Sequence, residues 1–162
     1  MYREIVVPLD GSELAEAALP HARDLAKESK AHMTLLAIVK PVRHMPYWPS
    51  GPYGEMPVTA DVELEVEEVV EEDERAEVAD AEKYLGGVAS WLKEQGVDVD
   101  IAVVMGEDAA TCICEYVDKL KDALIVISTH GRSGIRRWVY GSVTARVLRG
   151  VKSPVLVVRS KI

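Results

Sequence analysis

Short apolar runs alternate along the chain with longer stretches whose apolar residues recur at helical spacing. The apolar runs predict five strands, at residues 4–9, 34–39, 97–104, 123–128 and 154–158. Helical patterns begin near Ser12, Ala81, Gly106 and Gly141, so one falls between each pair of successive strands. Strands joined by helical crossovers predict an open, parallel, doubly wound α/β sheet with helices on both faces, in one domain spanning residues 1–162.

Two stretches depart from this regular pattern. Pro20 lies inside the first helical pattern and cannot donate a hydrogen bond to the carbonyl of Glu16, which predicts a kink. Residues 40–75 form an irregular and acidic excursion whose first part is rich in proline and glycine. Its later part, residues 62–70, supports two patterns: apolar residues that alternate as in a strand, or valines spaced as in a helix. The sequence leaves both open.

Charge is distributed unevenly. The formal net charge is −8, and nine acidic residues with no basic one among them lie between Asp61 and Glu74. After Asp122 the chain carries eight basic residues and no acidic one. The basic quarter suits an anionic ligand, while the acidic segment argues against indiscriminate binding to nucleic acid, so we expect no nucleic-acid partner.

Other classes of protein are excluded by features that the sequence lacks. No apolar run approaches the roughly 20 residues that span a bilayer, and the first residues lack the apolar stretch of a secretion signal, so we expect a cytoplasmic protein with no membrane partner. The histidines are scattered, and Cys112 and Cys114 point away from each other in a helix, so we expect no metal site made by the protein. No Gly-x-x-x-x-Gly-Lys-Ser/Thr loop and no Gly-x-Ser-x-Gly elbow occurs, so no catalytic residue is predicted.

Chemically useful residues follow two of the predicted strands. The first strand leads into Pro8, Leu9 and Asp10, and the fourth leads into residues 128–131, Ser-Thr-His-Gly. Ligands of open parallel sheets bind beyond the carboxyl ends of strands, so these two ends face one crevice if the strands are neighbours. Asp10 can accept hydrogen bonds there from an adenine amine or a ribose hydroxyl. Formation of a turn ahead of Ser12 explains Asp10 equally well.

The segment after the fourth strand combines features of a phosphate site. Gly131 and Gly134 let the backbone approach a phosphate closely, and Arg132 adds positive charge. Gly141 and Ser142 begin a helix, whose free N–H groups attract anions. Turn geometry explains each glycine taken singly. The close succession of strand end, glycines, arginine and helix start favours a nucleotide-binding protein.

The same residues carry a resemblance to a known family. Residues 5–12 (Ile-Val-Val-Pro-Leu-Asp-Gly-Ser), 128–134 (Ser-Thr-His-Gly-Arg-Ser-Gly), 141–144 (Gly-Ser-Val-Thr) and 153–158 (Ser-Pro-Val-Leu-Val-Val) resemble the universal stress protein family. Its ATP-binding members carry glycine, two residues, glycine, nine residues and then Gly-Ser or Gly-Thr. Gly131, the nine residues after it and Gly141-Ser142 fit this signature, and Ser128 replaces its first glycine.

The resemblance implies a Rossmann-like sheet of order 3-2-1-4-5, with strands one and four flanking the crevice. It implies adenine contacts near Asp10 and Ile38, and ribose contacts at Ile127 and Ser128. The full set of nucleotide-binding residues predicted in this way is Pro8, Leu9, Asp10, Ile38, Ile127, Ser128, His130, Gly131, Arg132, Ser133, Gly134, Gly141, Ser142 and Val143.

The resemblance also implies a ligand and a partner. The ligand is ATP, with Mg²⁺ or Mn²⁺ held mainly by its phosphates. The partner is a second copy of the chain, in a homodimer formed through the last strand, where Val155 and Val157 suit pairing between edges.

Three functions are compatible with these residues. The leading hypothesis is a stress-response protein in which ATP binding acts as a sensor or switch on an unidentified protein partner. A slow ATPase, with Asp10 or His130 assisting the attack of water, is the enzymatic alternative. A dimeric interaction module that binds no nucleotide is the third, and Ser128 alone favours it.

Overall fold

The five strands predicted from the sequence form one parallel sheet. A computed structural model describes residues 2–42, 60–130 and 141–160, except for the side chains of residues 60–68 and 130. The strands are β1 (Glu4–Pro8), β2 (His32–Val39), β3 (Val99–Met105), β4 (Ala123–His130) and β5 (Val155–Ser160). Their order across the sheet is β3-β2-β1-β4-β5, which confirms the predicted α/β fold and makes β1 and β4 neighbours.

Helices connect the successive strands. They are α1 (Glu13–Glu16), α2 (Leu19–Ser29), α3 (Ala60–Glu94), α4 (Ala109–Val117) and α5 (Ser142–Gly150). The kink expected at Pro20 is a complete break between α1 and α2. Pro20 lies in the first turn of α2, where a backbone N–H has no acceptor within the helix, so its missing N–H costs α2 no internal hydrogen bond.

Helix α3 is longer than the sequence pattern predicted. It runs for 35 residues, whereas the sequence indicated a helix from Ala81 and an irregular excursion over residues 40–75. That prediction is wrong for residues 60–75, and the helical pattern at 62–70 is the correct one, because glutamate is a good helix former and supports it between the valines. Residues 43–59 of the excursion lie outside the described part. No helix within the described residues has the length and apolar character needed to cross a membrane.

Two apolar layers hold the sheet, one on each face. Ile5 and Val7 of β1 belong to the layer with α2 and α3, whereas Val6 belongs to the layer with α4 and α5, because successive residues of a strand point to opposite faces. The helices bury Leu19 and Ala22 (α2), Leu85 and Leu92 (α3), Ile113 and Val117 (α4) and Val147 (α5). Helices therefore cover both faces, as predicted.

His32 at the start of β2 lies among carboxylates at the amino-terminal end of the sheet. Its Nδ1 lies 2.9 Å from the Asp98 carboxylate, and its Nε2 lies 3.6 Å from that of Asp100. Burial lowers the pKa of His32, but the hydrogen bond with Asp98 and the charges of Glu4, Asp98 and Asp100 outweigh burial. The pKa of His32 is therefore raised above its ordinary value.

We expect the free energy of unfolding to fall as the pH rises through the pKa of folded His32. Folding favours the protonated imidazole, so this stabilisation is complete below the unfolded pKa of about 6.5 and is lost above the folded pKa. Its size is below about 1 kcal/mol because the partner carboxylates are exposed. Urea unfolding of the natural protein and of His32→Gln, between about pH 5.5 and 8.5, measures the effect. The same pH slope in both proteins would contradict it.

Candidate functional site

A cleft of about 330 Å³ opens where β1 and β4 end. The two strands pair in parallel, so their carboxyl ends meet at one edge of the sheet. The described residues that line the cleft are Pro8, Leu9, Asp10, Ser12, Leu14, Ala15, Leu36, Ile38, Ala109, Ile113, Ile127, Ser128, Thr129, Gly141, Ser142, Val143 and Thr144. Nine of the residues predicted from the sequence are among them: Pro8, Leu9, Asp10, Ile38, Ile127, Ser128, Gly141, Ser142 and Val143.

The inner wall of the cleft is aliphatic. Leu36 and Ile38 come from β2, Ile127 from β4 and Ile113 from α4. All except Ile38 are buried, and Ile38 is half-buried against the same apolar layer. An aromatic ring that enters this part of the cleft leaves water for an apolar surface, which favours its binding.

The N-terminus of α5 forms a polar end of the cleft. Residues 141–144 line it, and no side chain among the described residues caps this helix. Helices α1 and α4, by contrast, are capped by the side chains of Ser12 and Asp108. No described side chain therefore competes with a ligand for the first N–H groups of α5, which lie at the positive end of the helix dipole and suit an anionic group.

Two hydrogen bonds fix the start of α5 over the end of β4. The N–H of Gly141 donates to Oγ1 of Thr129 at 3.2 Å. The hydroxyl of Thr144 donates to the backbone carbonyl of Ser128 at 3.1 Å, in a buried position. The polar end of the cleft is thus held in place from within the protein.

Asp10 forms a turn ahead of Ser12, which is one of the two roles that the sequence analysis predicted for it. Its Oδ1 accepts hydrogen bonds from the N–H of Ser12 at 3.0 Å and from the Ser12 hydroxyl at 2.6 Å. Gly11 between them has a φ of 80°, a left-handed conformation that favours glycine. Asp10 is exposed and also lines the cleft, so the turn does not prevent it from contacting a ligand.

Helix α1, which supplies Leu14 and Ala15 to the cleft, is attached to α3. The Tyr84 hydroxyl of α3 donates a hydrogen bond of 2.8 Å to the carboxylate of Glu16. Burial, then this hydrogen bond, raises the pKa of Tyr84, so its hydroxyl stays protonated as the donor.

An ion pair connects the N-terminus of α4 with α5 beside the cleft. The Asp108 carboxylate accepts hydrogen bonds from both terminal nitrogens of Arg146, with Nη2 at 2.7 Å. Hydrogen bonds from the hydroxyl and the N–H of Thr111, and then the contact with Arg146, hold the pKa of Asp108 below its ordinary value. Asp108 is therefore ionised at neutral pH.

Almost the whole length of the chain matches a known family. The model of the universal stress protein family matches residues 1–159. The chain belongs to the universal stress protein family. The resemblance noted in the sequence is therefore confirmed.

Named relatives of this universal stress protein come from several organisms. Universal stress protein MJ0531 of Methanocaldococcus jannaschii is 32% identical over 159 residues, which cover 98% of this chain and 83% of the relative. Universal stress protein UspA from Lactobacillus plantarum has the same fold, with a TM-score of 0.73, 24% identity and 98% of each chain covered. A universal stress protein solved in complex with cAMP is similar with a TM-score of 0.63, 25% identity and 97% of each chain covered.

Five predicted site residues of this universal stress protein are not seen in the cleft. Gly131, Arg132, Ser133 and Gly134 lie outside the described residues. His130 ends β4, and only its backbone is described. Their predicted contacts therefore stay predictions.

Sequence reasoning missed several residues of the cleft. Ser12 caps α1, Leu14 and Ala15 come from α1, Leu36 from β2, Ala109 and Ile113 from α4, Thr129 from β4 and Thr144 from α5. Thr129 and Thr144 lie within motifs that the sequence analysis singled out, so their position there was a usable signal. Ala109 and Ile113 carry no such signal, because α4 reaches the cleft only through the packing of helices on the sheet.

Within the described residues, no group of three or more His, Cys, Asp or Glu side chains is placed to hold a metal ion.

Proposed function

We propose that this universal stress protein binds an adenine nucleotide, ATP in particular, in the cleft between β1 and β4. The observation that carries the proposal is the pairing, in one cleft, of an aliphatic wall with the N-terminus of α5, which no described side chain caps. A nucleotide has the same two parts, an aromatic base and a chain of anionic phosphates. The relative solved in complex with cAMP supports an adenine nucleotide as the ligand.

The cleft suggests a direction for the ligand. The base packs on Ile38 and Ile127, with Asp10 able to accept a hydrogen bond from its amine, and the ribose lies near Ser128. The phosphates lie against the N–H groups of Ser142 and Val143 at the start of α5. We also propose the phosphate contacts predicted for residues 130–134, whose side chains lie outside the described part of the structure.

A divalent ion in this site depends on the nucleotide. Asp10 is the one carboxylate among the described residues that line the cleft, and it already accepts two hydrogen bonds from Ser12. Mg²⁺ or Mn²⁺ is therefore held mainly by the phosphates, whose charge it partly neutralises.

The proposed role is a sensor or switch rather than an enzyme. Hydrogen bonds at Thr129 and Thr144 attach the start of α5 to the end of β4, and exposed residues of α5 line the cleft. Occupancy of the cleft then changes the surface around the N-terminus of α5, which a protein partner can recognise.

We expect Gly141→Val to weaken ATP binding by at least about thirtyfold, because its side chain fills the polar end of the cleft. Gly141 has φ −54° and ψ 154°, which valine adopts readily, and an added Cβ meets no described atom within 4 Å. Isothermal titration with ATP measures the loss. The matched control is Gly87→Val on α3, outside this cleft and equally free of steric conflict.

Three results separate the competing functions. Undiminished ATP binding by Gly141→Val contradicts the proposed site. Phosphate release that saturates with ATP indicates the slow ATPase. No binding of ATP to the natural protein, and no nucleotide that copurifies with it by mass spectrometry, indicates the interaction module.

We also propose that two copies of the chain pair through β5. The hydrogen bond from the N–H of Ile125 to the carbonyl of Pro154 fixes which residues of β5 face β4. By alternation, Leu156 and Val158 face β4, and the N–H and C=O groups of Val155 and Val157 face outward at the edge of the sheet. Such an edge is a template for a second strand, which supports the homodimer.

A further inference from the structure

Asp108 and Arg146 lie at the junction of two helix N-termini. Asp108 directly precedes Ala109, and Arg146 lies one turn after Ser142 on the same face of α5. Ala109 and Ser142 both line the cleft. Side chains on a helix lean toward its N-terminus, so the guanidinium of Arg146 is directed toward the end of α5 where the phosphates are proposed to bind.

The Asp108 carboxylate contacts Arg146 in the way that a phosphate does. Nη1 and Nη2 bind the two carboxylate oxygens in a bidentate contact, the geometry with which arginine also binds phosphate. The side chains of Arg146 and Asp108 are 51% and 36% exposed. Water therefore screens the ion pair, and Arg146 can exchange the Asp108 carboxylate for another anion.

Asp108 does not depend on Arg146 for its place in the fold. Its carboxylate caps α4 by accepting hydrogen bonds from the N–H of Thr111 at 2.9 Å and from the Thr111 hydroxyl. When the guanidinium leaves, the carboxylate keeps these two donors and stays in contact with water. Arg146 can therefore change partner without disrupting α4.

We propose that Asp108 competes with the phosphates of a bound nucleotide for Arg146. In the free protein the carboxylate holds the guanidinium, and a polyphosphate at the N-terminus of α5 takes it over. This inference rests on the proposed nucleotide site and assigns to Asp108 a role in the ligand selectivity of that site. Asp108 sets how strongly the cleft favours a charged polyphosphate over an uncharged nucleoside.

The Asp108→Asn variant tests the competition. Asparagine caps a helix as well as aspartate does, so α4 is retained while Arg146 loses its charged partner. Isothermal titration with ATP and with inorganic triphosphate is expected to show affinities about tenfold higher than in the natural protein, while the affinity for adenosine stays within about threefold. Adding Arg146→Gln to Asp108→Asn is expected to cancel the gain.

The matched control removes the same charge from the other end of α4. Asp118 is the exposed C-terminal capping residue of this helix, about 15 Å along its axis from Asp108 and beyond the Debye length at physiological salt. Asp118→Asn therefore changes the net charge equally and is expected to leave all three affinities unchanged.

Each alternative result has a definite meaning. An unchanged or lower ATP affinity in Asp108→Asn, a gain that survives Arg146→Gln, or an equal gain for adenosine overturns the competition. Tighter binding of inorganic triphosphate through Arg146, without binding of ATP or adenosine, supports the competition and contradicts the nucleotide site. No binding of any of the three ligands to any variant overturns both.

Discussion

Replacing Ser142 with glutamate is expected to weaken ATP binding at least about tenfold while stabilising α5. Ser142 is the first residue of α5, is exposed and lines the cleft. A carboxylate there favours the helix by about 0.3–1 kcal/mol through the helix dipole. The same carboxylate repels each phosphate charge at about 4 Å by about 1 kcal/mol even in water, so binding and stability move in opposite directions. Titration calorimetry and urea unfolding measure the two effects.

Adenosine and a neutral variant identify the cause of the lost affinity. Ser142→Gln has nearly the size of Ser142→Glu without its charge, and we expect its ATP affinity to stay within about threefold of the natural value. Adenosine carries no phosphate, so its affinity for Ser142→Glu is expected to be equally unaffected. An equal loss of ATP and adenosine binding would mean that bulk, and not charge near the phosphates, is responsible.

Replacing Val157 with proline is expected to convert the proposed homodimer into monomers. The N–H of Val157 faces outward at the edge of β5, so proline removes a donor for the second copy while the pairing with β4 keeps its own donors. A symmetric interface loses this hydrogen bond twice, at about 1 kcal/mol each, and the ring also blocks close approach. We expect the dimer dissociation constant to rise at least about thirtyfold, as measured by analytical ultracentrifugation.

The opposite edge of the sheet offers a matched control. Ile101 lies in the edge strand β3, and the hydrogen bond from Met33 N–H to the Asp98 carbonyl shows that the N–H of Ile101 also faces outward. Ile101→Pro makes the same change to a sheet edge and is expected to leave the dimer intact. A dimer that survives Val157→Pro, or dissociates in Ile101→Pro, contradicts pairing through β5.

The fold followed closely from the order of apolar runs and helical patterns. Buried strands such as Ala123–His130 are short and apolar, and their alternation with helical patterns allows few topologies. The order of the strands came from the resemblance to the family and not from the apolar pattern itself. The start of α3 was missed because valines separated by glutamates satisfy a strand period and a helix period at once, so periodicity alone does not choose between them.

The candidate site was predicted best where it is built from strand ends. Parallel strands bring their carboxyl ends together, so Asp10 and Ser128 reach one cleft although they lie far apart in sequence. The contact of Asp108 with Arg146 could not be predicted in this way. The two residues are 38 positions apart, and their meeting depends on how α4 packs against α5. Helix packing is set by side-chain shape along whole faces, which no short motif encodes.

The start of α5 has a consequence for the lifetime of the protein. No side chain among the described residues caps α5, and a helix without such a cap frays more readily; the edge strand β5 follows α5 after residues 151–154. A phosphate group that accepts hydrogen bonds from the first N–H groups of α5 would supply such a cap from outside the chain, and it would stabilise the folded protein in proportion to its own concentration. The supply of nucleotide in the cell would then help to determine how long each molecule escapes proteolysis.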